Sequence, residues 1–167
     1  MERRRRLKSL TLELAEAQFV AGSLAGEDLP DLAVRLLESG MDCPALRELT
    51  GLTRPTLRDA GQVFEKMIGE LGRSLPTRDE TGWRLAKALA VSVVSGEPPF
   101  REAAGRGASL AISFDYDDRF MPFYLADIDY DLLDRFGGPG SSWPSHKAEE
   151  IDARLKEHSE ALLRGEV

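Results

Sequence analysis

Apolar positions recur at helical spacing through most of this chain, and glycines and prolines mark where each run stops. A first helix is expected from about Leu7 to Leu24, with Leu10, Leu14, Ala17 and Ala21 on one face. Gly26-Glu27-Asp28 breaks it. Asp28 is placed to cap a second helix, whose early Pro30 is tolerated because first-turn amides lack helical partners. Leu32, Ala33, Leu36 and Leu37 face the core, and Gly40 stands where a left-handed C-terminal cap belongs. A short helix over 44–50 follows, closed by Gly51.

The fourth run is the clearest. Pro55 opens it, Leu57, Ala60, Phe64, Met67, Ile68 and Leu71 line one face, and Gly72 ends it. The fifth starts at a capping box, Thr77-Arg78-Asp79-Glu80, carries Trp83, Ala86, Leu89, Ala90, Val93 and Val94, and stops at Gly96. Residues 100–112 read as a sixth helix weakened by Gly105 and Gly107; the alternation of Leu110, Ile112 and Phe114 makes a strand over 108–116 the competing reading. Two short pieces are expected next, 120–126 broken by Pro122 and 129–135. Gly137-Gly138-Pro139-Gly140-Ser141-Ser142 has linker composition. A last helix, about 145–164, shows a thin stripe of Ile151, Leu155, Leu162 and Leu163, so it docks peripherally or waits for a partner. The expected fold is all-α, a compact multi-helix bundle with a peripheral C-terminal helix: a helical domain over 1–136, a linker over 137–145 and a helix within 146–167.

Composition agrees with that pattern. A chain of 167 residues, 42% hydrophobic and 31% charged, is long enough to bury a core and lies in the globular range. Cys43 is the single cysteine, so no internal disulfide forms, which fits a cytoplasmic protein. No apolar run approaches the roughly 20 residues that cross a bilayer, and the Arg3–Arg6 cluster is followed by a charge-interrupted segment unlike a signal peptide.

The formal charge of −7 is concentrated between Phe114 and Phe136, where aspartates alternate with most of the chain's aromatic residues. Asp115, Tyr116, Asp117, Asp118, Phe120, Tyr124, Asp127, Asp129, Tyr130 and Asp131 form this belt, and Trp143 beside Pro144 adds an anchor next to the linker. Carboxylates steer a basic partner and rings supply buried area, so the belt is the expected partner-binding surface.

Between about Leu29 and Gly105 the chain resembles a family of small, uncharacterised bacterial proteins. The residues that carry the resemblance are Leu29-Pro30, Leu32-Ala33, Gly40, Asp42, Pro44-Ala45-Leu46-Arg47-Glu48-Leu49 and Gly51-Leu52, then Phe64, Leu71-Gly72, Leu85-Ala86, Ser95-Gly96 and Ala104-Gly105. These are core and cap positions, and the resemblance implies a helical fold without an activity.

Leu46 to Arg58 also looks like a helix-turn-helix: Gly51 in the turn, Leu52 and Leu57 apolar, and Arg54, Thr56 and Arg58 at the start of a recognition helix. Arg47 stands where the helix crossing wants a small residue, and the acidic balance opposes phosphate, so a plain helical hairpin competes with DNA binding. Asp115-Tyr116-Asp117-Asp118 mimics the start of a calcium loop, but Phe120 and Ala126 occupy the positions that need glycine and glutamate. His146 and His158 stand too far apart to chelate one ion and read as surface residues; Cys43 and Trp83 read as core. No nucleophile elbow, phosphate loop or dinucleotide fingerprint occurs, so neither a cofactor nor catalysis is expected. The sequence therefore points to a non-catalytic protein-binding module that engages a basic protein through 114–136, with immunity proteins and antitoxins as the analogous class; a DNA-binding regulator using Arg54, Thr56 and Arg58 is the alternative.

Overall fold

The computed structural model describes residues 10–137 and 147–166. Among them are eight α-helices, one 3-10 turn and no strand, so the chain is all-α. The helices are α1 (Leu12–Val20), α2 (Leu29–Glu38), α3 (Pro44–Thr50), α4 (Leu57–Glu70), α5 (Arg78–Ser95), α6 (Phe100–Ser113), α7 (Met121–Phe136) and α8 (Ala148–Arg164). The chain divides between Thr81 and Gly82 into two compact units, each with its own core. The sequence placed the division at the 137–145 linker; packing places it inside α5, and of that linker only Gly137 is among the described residues.

In the first unit Leu32, Ala33 and Leu36 of α2, Leu46 and Leu49 of α3, and Phe64 and Met67 of α4 form one buried cluster. Each of these leucines contributes about 1.5–3 kcal/mol on leaving water. The ends of the helices are held by side chains. Thr56, rather than Pro55, caps α4: its hydroxyl accepts from the Asp59 amide, and the Asp59 carboxylate accepts from the Thr56 amide at 3.0 Å. The Glu70 carboxylate accepts from the Ala45 amide at 2.8 Å and so satisfies the first turn of α3. Beside it Cys43 is buried, and burial pushes its thiol pKa up. Gly40 has φ +92, as its place after α2 requires.

The second unit gathers Leu89 and Val93 of α5, Ala103 and Ala104 of α6, Phe123, Ala126 and Tyr130 of α7, and Ile151 and Leu155 of α8. At the start of α5 the Thr77–Glu80 box is present, with the Thr77 amide donating to Glu80 at 2.8 Å. Residues 108–113 are helix, not strand: the small face of Ala104, Gly107, Ala108 and Ala111 is what packs inward. The two pieces expected over 120–135 are one helix, because Pro122 lies in the first turn of α7, where its missing amide costs nothing. Three of the four stripe residues of α8 are covered: Ile151, Leu155 and Leu162 are buried, Leu163 stays exposed, and α8 packs on α7 and α6 of its own unit.

Candidate functional site

The acidic-aromatic belt lies wholly in the second unit, over the turn 114–120 and along α7. The helical period assigns each position along α7 to a side, so the belt's rings and carboxylates separate by position. Phe114, Phe120, Phe123 and Tyr130 turn inward, and Phe120 is 0% exposed. Phe120 and Tyr130, expected to meet a partner, are therefore core residues. The Phe114 and Phe120 rings pack at 5.4 Å between centroids, and the Tyr130 hydroxyl donates to Asp152 of α8. Burial, reinforced by that carboxylate, raises the Tyr130 pKa.

Several of the carboxylates are committed to internal arginines. Asp117 is gripped by Arg119, with Nε to Oδ1 at 2.8 Å, Nη2 to Oδ2 at 2.6 Å and the Arg119 amide to Oδ1 at 3.0 Å. That pair holds the Asp117 carboxyl below its usual range. The same guanidinium lies over the Trp83 ring at 5.0 Å, and Lys87 approaches that ring at 5.9 Å. It fits there because residue 82 is glycine: a Cβ on Gly82 would stand 2.9 Å from Arg119 Nη2. Trp83 is thus a cation platform as well as a packing residue. Asp129 pairs with Arg154 of α8. Arg101 of α6 makes a two-point bond to Asp134, comes within 3.8 Å of Asp131 and covers the Tyr130 ring at 5.6 Å. Asp127 is half-buried, and burial, with Asp131 nearby, pushes its carboxyl up. Arg101 and Arg154 were not legible as partners, because they lie a helix away in sequence and meet the aspartates only through packing.

What the belt still shows to solvent is its turn and, on α7, Asp131, which lies near Arg101 and Arg135. Asp115, Tyr116 and Asp118 are exposed, and Tyr116 keeps 54% of its surface. Asp115 and Tyr116 both have left-handed backbone, φ +57 and +61, which residues with a Cβ adopt only at a cost. The Tyr116 amide donates to the Ala111 carbonyl at 2.7 Å, closing α6 and fixing the tyrosine outward. Its ring meets the half-buried Tyr124 edge-on at 5.4 Å. Trp143 and His146 lie outside the described residues. His158, expected on the surface, is half-buried instead: its ring meets Phe123 edge-on at 5.6 Å, and Nε2 lies 3.3 Å from the Arg119 carbonyl.

Arg54, Thr56 and Arg58 fall between α3 and α4 and in the first turn of α4. Residues 51–56 separate the two helices, a longer connection than the three or four residues of a helix-turn-helix. Thr56 is used as the cap, Arg54 sits at φ +49, and Arg47 points into solvent as a two-point partner of Asp42. Among the described residues no cluster of His, Cys, Asp or Glu is arranged to hold a metal ion, and no helix is long and apolar enough to cross a membrane. Comparison with known protein families, with curated proteins and with solved structures finds no match to this chain in any of the three.

Proposed function

We propose that the protein is a non-catalytic binding module that offers the α6–α7 turn to a basic protein partner. One observation carries this reading: the turn holds Tyr116 outward in a strained backbone, backed by Tyr124 and flanked by exposed carboxylates at Asp115 and Asp118. A ring held rigidly at the surface loses little freedom on binding, and acidic neighbours steer a cationic surface toward it. The overall charge of −7 acts in the same direction at longer range. Immunity proteins and antitoxins, which cover the basic active sites of toxic nucleases, are the class of binder with this surface character. The single, buried, free Cys43 suits a reducing cytoplasm, and the resemblance over 29–105 suits a bacterial source.

The test is affinity capture from a bacterial lysate over a salt series, with the parent chain beside Asp118→Lys with Tyr116→Ala. Capture of basic proteins that weakens with salt, and at least tenfold with the double substitution, is the expected result. Equal capture by both chains would show the turn to be only a solvated surface. Asp117 and Asp129 are unsuitable for this test, because charge reversal there would break the pairs with Arg119 and Arg154.

A further inference from the structure

Helix α7 is apolar on two sides. Phe123, Ala126 and Tyr130 fill the core of the second unit. Away from them Met121, Leu125, Ile128, Leu132 and Phe136 follow one another at spacings of three and four, the seam of a helix that meets another helix. Leu125 is 52% exposed, Ile128 39% and Phe136 53%, so this seam is open along the length of α7. Its N-terminal half opens into a cleft of about 150 Å³ between α7 and α8, lined by Pro122, Leu125, Ala126, Ile151, Arg154 and Leu155. A cleft of that size, almost wholly apolar, accepts one large aliphatic or aromatic side chain.

We propose that this seam and cleft receive an amphipathic helix with basic edges, supplied by the protein partner. The proposal rests on the protein-binding reading above and names the form the partner takes. The charges along the seam select the occupant. On the α8 side the positions one turn either side of Arg154 are Glu150 and Glu157, with Asp129 already on Arg154 itself. On the other side Asp131 and Arg135 stand 3.9 Å apart, and exposed Asp118 precedes the helix. Acids exceed bases around the seam. A second copy of this chain would set those acids against their own kind, whereas lysines or arginines flanking an apolar stripe would meet them. The seam gives van der Waals area, the cleft takes the anchor, and the edges fix direction.

The probe is a synthetic peptide of leucine and lysine, about 18 residues long to match α7, with leucines at alternating spacings of three and four. Its control has the same composition with the leucines scrambled. Fluorescence anisotropy should show the ordered peptide binding at least tenfold more tightly than the scrambled one. Leu125→Glu and Ile128→Glu should each remove at least tenfold of that affinity, while Leu163→Glu, on α8, leaves it unchanged. Equal binding of both peptides, or no effect of Leu125→Glu and Ile128→Glu, would overturn helix docking and leave the basic-partner reading standing. No binding of either peptide would count against both. A concentration-dependent dimer abolished by Leu125→Glu would assign the seam to a second copy and overturn the proposal.

Discussion

Glu16 is 0% exposed in the middle of α1, and Arg73, just beyond α4, closes on it with Nε at 2.6 Å from Oε1 and Nη2 at 3.1 Å from Oε2. A carboxylate removed from water needs such a partner, and the two-point fork is the strongest a side chain supplies. Arg73→Ala is expected to destabilise the first unit by about 3 kcal/mol, at the lower end for a broken buried pair because Arg73 keeps about a third of its side chain in water. Glu16→Met combined with Arg73→Met should recover most of the loss, since neither charge then remains buried alone. Urea denaturation of the two variants measures both effects; equal midpoints for Arg73→Ala and the parent would deny the pair any stabilising role.

Gly105 and Gly107 look alike in the sequence, and both weaken a helix. Their surroundings separate them. A Cβ on Gly107 would lie 2.3 Å from Phe123 Cβ, so α6 approaches α7 only because that residue has no side chain. At Gly105 the nearest atom is Asp127 Oδ1 at 3.4 Å. Gly107→Ala should therefore cost about 1–3 kcal/mol through overpacking. Gly105→Ala should be neutral or stabilise by up to about 1 kcal/mol through helix propensity. Thermal unfolding of the pair decides, and a similar loss in both would contradict the close approach at Phe123.

Burial of His158 against Phe123 holds its imidazole below the ordinary value of 6.5. The unfolded chain then binds a proton more readily than the folded one, so stability rises with pH through this window. The contribution is complete above about pH 6.5 and is lost as pH falls through the lower folded value. His158→Gln has no such proton to take up. Its urea midpoint should fall less than the parent's between about pH 7.5 and about pH 5. Parallel curves for the two proteins would mean that His158 titrates as it does in water.

The core was readable because helical periodicity survives without knowledge of neighbours: Leu32, Ala33, Leu36, Phe64 and Met67 lie inside as their spacing demands. Two local errors have local causes. Thr56-Asp59 is a capping box like Thr77-Glu80, but the adjacent Pro55 draws the expected start of α4 two residues early. Pro122 reads as a break in the sequence although it sits in a first turn. The belt misled for a different reason. Whether an aspartate is already paired depends on which arginine packs opposite it, and Arg101 and Arg154 reach Asp134 and Asp129 from other helices. Tyr116 stands out only once its φ is known, since nothing in its neighbours marks a left-handed tyrosine.

That backbone makes Tyr116 a position where stability and binding respond differently to one substitution. Glycine at 116 relieves a left-handed residue, worth about 1 kcal/mol, and loses an edge-on ring contact with Tyr124 worth about 0.5–1 kcal/mol. These effects offset each other, so Tyr116→Gly should leave the unfolding midpoint close to the parent's. If the ring is the anchor for a basic partner, the same change should weaken capture at least tenfold, because a central aromatic anchor carries a disproportionate share of binding energy. Tyr124→Ala removes the backing ring but not the anchor, so its effect on capture should be smaller. A clear loss of stability in Tyr116→Gly would show that the tyrosine holds the turn together, and full retention of capture would remove it from the contact surface.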